Sequence, residues 1–325
     1  MVRRAWASVA ALVILALGLT VGAAAAAAAP VAAGRHSVAQ SGSGPVQGGF
    51  RRLDRVHSTT PTPARPAPTG AKEPTSPPPR IPKASKPNAS HQQYIATYGP
   101  ITIEAGYHYA AWLPCPSGML ATGGGESNTS GAGVTLHHTF AMANGAGWQV
   151  FVTNDYTTDS TFTVYAVCMS GLTNYSEVTA GVTQNGGAWA YCPAGTVVLG
   201  GGGWSTNPDD ILTFEPIYNG WSAYRLQDVP TTPGTVTGQA ICASGIGNYS
   251  IQSAGIDLNP GEYASVAVNC PAGTVVFGGV ATSGEVVRST DSYPLPSTQG
   301  WKAWGILIPT TYEAWPMYVY AICGT

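Results

Sequence analysis

Asp209, Asp210 and Glu215 stand close together in one predicted loop, between a run of glycines and Trp221. Two carboxylates at short range can divide the acid and the base or nucleophile roles of glycoside hydrolysis, and with nearby carbonyls they can hold calcium. The same interval carries Trp204, Asn207 and Tyr218. Rings stack on the apolar faces of sugars and neutral polar groups bond their hydroxyls. Trp204, Asn207, Asp209, Asp210 and Tyr218 are therefore the candidate ligand-binding set. Asp155 and Asp228 share one offset from Trp148 and Trp221, but Ile308 holds that place after Trp301, so a thrice-repeated catalytic or metal requirement is not supported. His137 and His138 are adjacent, which on a strand points them to opposite faces and makes them a poor joint metal site.

Other catalytic patterns are missing. The sequence has no Gly-x-Ser-x-Gly elbow, no His-Glu-x-x-His and no phosphate-binding Gly-Lys-Ser or Gly-Lys-Thr. Its Gly-Gly-Gly runs open no helix, so they read as backbone crossings or bulges rather than a dinucleotide fingerprint. The expectation is a protein that is not an enzyme and needs no cofactor and no metal.

What must position these residues is a repeated unit. Cys115-Pro116-Ser117-Gly118 is followed by Gly123-Gly124-Gly125, Gly147-Trp148 and Tyr165-Ala166-Val167-Cys168. Cys192-Pro193-Ala194-Gly195 leads to Gly200-Gly201-Gly202, Gly220-Trp221 and Gln239-Ala240-Ile241-Cys242. Cys270-Pro271-Ala272-Gly273 leads to Gly278-Gly279, Gly300-Trp301 and Tyr320-Ala321-Ile322-Cys323. Self-similarity at a fixed period is the signature of repeat architecture. Short Val-, Tyr-, Thr- and Phe-rich runs between Gly, Asn, Pro and Ser make the fold class all-β. Repeats are expected at about 92–173, 174–247 and 248–325.

Six cysteines at repeated spacing in an exported chain imply disulfides. Repeat equivalence favours Cys115 with Cys168, Cys192 with Cys242 and Cys270 with Cys323. The alternative links Cys168 to Cys192 and Cys242 to Cys270, and strands Cys115 with Cys323. Closing a loop of about fifty residues is worth on the order of 4 kcal/mol in the chain-entropy model. Trp148, Trp221 and Trp301 read as core anchors for these Gly-rich units. Asn174-Tyr175-Ser176 and Asn248-Tyr249-Ser250 lead into the second and third units, while Gln93-Tyr94-Ile95 stands at the front and Thr325 follows the last cysteine closely. Such an offset suits a closed threefold β-prism-like assembly without a bare sheet edge. Three small β domains in tandem are the alternative.

The Cys-Pro-Ala-Gly, Gly-Gly, Gly-Trp and Ala-Ile-Cys landmarks resemble those of repeat-bearing secreted bacterial proteins, mostly without assigned function. More remotely, the Cys-Pro-x-Gly openings in three copies resemble the vitelline membrane outer layer proteins. That resemblance implies a threefold β-prism and a sugar-related role for 92–325.

Export frames the rest. Arg3 and Arg4 precede an apolar stretch and an Ala-rich tail ending at Pro30, the layout of a signal peptide over 1–29; an uncleaved anchor is the other reading. Residues 30–91 are rich in Pro, Ser and Thr and carry little to bury, which predicts a disordered linker. The linker is basic, whereas the body holds only Arg225, Arg288 and Lys302 against fourteen acids. A solvated spacer and attraction to anionic envelope polymers are both consistent with the tether. Nucleic acid is not an expected partner, because phosphate contacts need the Lys and Arg that the body lacks. With no second apolar segment, no membrane span is expected after signal cleavage. The expected function is a secreted or cell-surface binding module for carbohydrate or cell-wall polymer. A structural or adhesive surface protein is the alternative, and a polysaccharide hydrolase the third reading.

Overall fold

Runs of β-branched and aromatic residues broken by Gly, Asn and Pro favour short strands. The computed structural model describes residues 49–53, 91–183, 187–226, 234–282, 286–309 and 311–325. Among them there is no α-helix, only two short 3-10 turns at Gly131–Gly133 and Ala143–Gly145. No helix among the described residues is long and apolar enough to cross a membrane. The expected signal peptide, 1–29, and most of the expected linker lie outside the described residues.

After β1 (Gly49–Leu53) come β2 (Gln92–Ile103), β3 (His108–Pro114), β4 (Leu120–Asn128), β5 (Val134–Ala141), β6 (Gly147–Asn154) and β7 (Ser160–Ser170). Next are β8 (Thr173–Thr183), β9 (Ala188–Tyr191), β10 (Val197–Ser205), β11 (Leu212–Ile217), β12 (Gly220–Arg225) and β13 (Thr235–Ser244). The chain ends with β14 (Ser250–Leu258), β15 (Tyr263–Asn269), β16 (Val275–Thr282), β17 (Val287–Leu295), β18 (Gly300–Leu307) and β19 (Trp315–Gly324). β1 falls inside the stretch expected as linker, where it pairs with β3 from Gly49↔Trp112 to Leu53↔His108. An open edge on β3 explains why a segment with so little to bury is held there.

The expected threefold prism is corrected. The strands form four sheets in a propeller-like ring: a seven-stranded sheet β1-β3-β6-β5-β10-β13-β8, a six-stranded sheet β15-β18-β17-β4-β7-β2, and two three-stranded sheets, β11-β12-β9 and β14-β19-β16. The physical reason lies at the junctions. Gly203↔Thr139 joins β10 to β5 and Ser292↔Glu126 joins β17 to β4, and these single pairs weld smaller sheets into the two large ones. The same pairs exclude separate tandem domains. Each leading strand also pairs with the closing strand that follows it, β2 with β7, β8 with β13 and β14 with β19. No circular offset is therefore needed.

The landmark residues mark contact points. Register shifts fall at Ala121/Gly123, Val198/Gly200 and Val276/Gly278, so each glycine run carries a bulge. There β4, β10 and β16 cross at backbone distance: a Cβ on Gly123 would lie 2.6 Å from Gly278 Cα, and one on Gly278 would lie 2.6 Å from the Leu199 carbonyl oxygen. The next glycines, Gly124, Gly201 and Gly279, lie flat under the rings of Trp148, Trp221 and Trp301. All three rings are buried. Trp148 Nε1 donates to Thr139 Oγ1 at 2.6 Å and Trp301 Nε1 to Ser292 Oγ at 2.9 Å. Disulfides join Cys115 to Cys168, Cys192 to Cys242 and Cys270 to Cys323, the pairing favoured by the spacing.

Candidate functional site

The acidic loop after β10 does not open to solvent as a binding loop would. It packs against His108 of β3 and His138 of β5. Trp204 is half-buried with its ring 4.9 Å from that of Phe140, which stacks at 6.1 Å on Phe151. Asn207 organises the turn: its backbone N–H donates to Ser205 Oγ at 3.1 Å, and its Oδ1 accepts the Asp209 N–H at 3.1 Å. Asp210 is fully buried, with Oδ1 3.0 Å from Arg225 Nε. Its Oδ2 accepts Ser205 Oγ–H at 2.6 Å and the Gly234 N–H at 3.2 Å. A buried carboxylate with these donors fixes the loop and has little left to offer a ligand.

Histidines complete this junction. Asp209 Oδ1 lies 3.4 Å from His108 Nε2, and His108 Nδ1 meets Thr153 Oγ1 at 2.7 Å. His138 Nε2 lies 3.1 Å from the Asp210 carbonyl oxygen. His137 and His138 do not diverge as a regular strand requires, because the register shifts between Leu136 and His138 and both rings reach the same loop. Burial pushes the His138 imidazole down to about 4. Burial, with His138 and His108 adding to it, holds His137 well below the usual histidine value. Both are neutral at physiological pH, and no group of three or more His, Cys, Asp or Glu among the described residues could hold a metal. Of the sequence-predicted set, Trp204, Asn207, Asp209 and Asp210 come together here. Tyr218 does not: it sits at the β11–β12 turn, almost wholly exposed, about 20 Å along the strand from Leu212.

A different surface gathers exposed rings around a carboxylate. On β9 the sequence Ala188-Trp189-Ala190-Tyr191 alternates, so the alanines face the core and the rings face out, with Trp189 43% and Tyr191 55% exposed. Opposite them on β12 are small residues, Ser222 across from Trp189 and Gly220 across from Tyr191. Glu215 on β11 is the partner of Ser222 on its other side. A directed chain of hydrogen bonds crosses this floor: Trp189 Nε1 donates to Tyr224 OH at 3.1 Å, and Tyr224 OH donates to Glu215 Oε1 at 3.2 Å. The Trp189 and Tyr224 rings meet edge to face at 5.8 Å. From β19, Tyr320 adds a phenol held above its usual value by burial and by the Glu215 charge. Glu215 was legible as an acid. Trp189 and Tyr191 were missed, although the small–aromatic alternation before Cys192 is the signal that marks a ring-bearing face.

A third cluster lies where β4 meets β17. Glu126 is fully buried and neither carboxyl oxygen has a hydrogen-bond partner among the described residues. Burial first, then the Asp291 carboxylate, holds its pKa well above the ordinary value. Asp291 itself is pushed up to about 6 by burial, against donation from the Asn128 N–H and the Thr290 hydroxyl. Tyr263 stacks on Trp304 at 4.9 Å and Tyr165 on Tyr293 at 5.5 Å around it.

Fold and surface together define an all-β, disulfide-bonded protein with an open aromatic–carboxylate face on β9, β12 and β11. Its three disulfides fit an oxidising compartment. The chain matches no known protein family and no curated protein.

Proposed function

We propose that this is a secreted or cell-envelope protein whose body is three equivalent units and binds a carbohydrate or wall polymer, without catalysis, on the face of β9, β12 and β11. The observation that carries the reading is the pair of exposed rings, Trp189 and Tyr191, beside the oriented Trp189–Tyr224–Glu215 chain. Rings two residues apart on one strand are about 7 Å from each other, a spacing over which an extended polymer can be stacked more than once. Polar groups held by their own hydrogen bonds add orientation at little entropic cost. Three-unit equivalence is supported by the recurring pairing orders β2-β7-β4, β8-β13-β10 and β14-β19-β16 and by the matching disulfides. Export is supported by those disulfides together with the signal-peptide layout of 1–29.

The test is retention of the full chain on insoluble and soluble polysaccharides, with Trp189→Ala and Tyr191→Ala compared by thermal melting. Each variant is expected to keep its melting temperature within a few degrees and to lose about tenfold in affinity. Retention unchanged in both variants would remove this face, and absence of retention on every polysaccharide would favour the structural or adhesive reading.

A further inference from the structure

No Lys, Arg or His forms an ion pair with Glu215 among the described residues. Of the three Lys and Arg of the body, Arg225 is committed to Asp210 and Lys302 lies 4.8 Å over the Trp304 ring. Tyr224 bonds Glu215 directly, Trp189 reaches it through the Tyr224 hydroxyl, and the Tyr320 phenol lies near enough to feel its charge. A carboxylate among aromatic rings attracts a cation twice over, through charge-assisted hydrogen bonding and through the negative ring faces. A neutral sugar can stack on the rings and donate its hydroxyls to the carboxylate, but only an ammonium also meets the negative charge.

Resting on the carbohydrate reading above, we propose that the ligand is an amino sugar polymer with free amines, whose ammonium group is received by Glu215 while neighbouring sugar rings stack on Trp189 and Tyr191. Tyr224 positions the carboxylate, since its hydroxyl accepts from Trp189 and donates to Glu215. Glu215 Oε2 is left to accept the ammonium protons. The acidic body, fourteen acids against three Lys and Arg, favours the same sign of ligand at longer range.

The test measures binding of the full chain to three oligomers of equal length: a glucosamine oligomer, its N-acetylated counterpart and a glucose oligomer. The glucosamine oligomer is expected to bind tightest and to lose about tenfold in Glu215→Gln, the fold-change of one charge-assisted hydrogen bond. The two neutral oligomers should change little in that variant. Glu313→Gln, which removes an exposed acid elsewhere, should leave all three unchanged. Equal binding of all three oligomers, or no effect of Glu215→Gln, overturns the amine assignment while the carbohydrate reading stands. Equal loss in Glu313→Gln shows diffuse charge attraction and overturns it too. If the folded protein binds none of the three, the amine assignment falls, and the polysaccharide panel decides the carbohydrate reading.

Discussion

Replacing Glu126 by Met should make the protein more stable, and increasingly so as the pH rises. Glu126 lies opposite Val164, in the register that Gly203 occupies opposite Gly238 and Ala281 opposite Val319. Only this one of the three positions carries a polar side chain, and both its carboxyl oxygens are buried without a partner. Burying an unsatisfied polar group costs about 1–3 kcal/mol on the scale of protein mutations. Ionisation adds to that cost. The folded pKa is raised, so above the ordinary value of 4.5 the folded protein keeps a proton that the unfolded chain releases. Stability is then present below 4.5 and falls by about 1.4 kcal/mol per pH unit until the folded pKa is passed. Met fills a similar volume and removes both terms, whereas Glu126→Ala removes them and leaves a hole. The assay is thermal melting of parent, Met and Ala variants from pH 4 to pH 8, where 1 kcal/mol corresponds to about 2–4 °C for a body of this size. The Met variant should gain at least a few degrees at pH 7 and less at pH 4. A Met variant less stable than the parent at every pH would refute the reasoning, because the carboxyl would then have a partner worth more than its desolvation.

Opposite pH behaviour is expected at the β5–β10 junction: His138, with its folded value near 4 against 6.5, should cost about 3 kcal/mol as pH falls from 6.5 to 4. His138→Asn should flatten the acid limb of the melting profile, and an unchanged limb counts against the assignment. Trp221→Ala should cost about 3–5 kcal/mol, since the ring is buried over Gly201, while Tyr218→Ala should melt like the parent. Removing the Cys192–Cys242 disulfide by a double Ser substitution should cost roughly 4 kcal/mol, read as a lowered denaturation midpoint.

The disulfides, the buried tryptophans and the glycine crossings were legible because each is a local demand made by residue type. Only glycine lets Gly123 meet Gly278 and lets Trp148 lie flat on Gly124. The sheet count was not legible, because it turns on two junction pairs, Gly203↔Thr139 and Ser292↔Glu126, between residues distant in sequence. The same junctions take up part of the expected site. Asp209 and Asp210 have the composition of a binding loop, yet the loop is spent on His108, His138 and Arg225, which no local pattern connects to it. His137 and His138 escaped the strand alternation rule because a bulge separates them from it.

One scaffold with several junctions need not carry several sites, and the chemistry found at each decides between these possibilities. Where β5 meets β10, acids and histidines satisfy one another and Asp210 is closed off by Arg225. Where β4 meets β17, Asp291 is occupied by Asn128 and Thr290 and the rings stack in pairs on each other, while the unpartnered Glu126 is fully buried and out of a ligand's reach. Around β9 and β12 the rings are half-exposed, small residues separate them from the acid, and Glu215 meets only a phenol. Unsatisfied capacity that is also exposed, rather than the mere presence of acids and rings, marks a surface that a ligand can reach. The recurring landmarks therefore build the frame, and the proposed recognition rests on Trp189, which has a counterpart in Trp112, together with Tyr191 and Glu215.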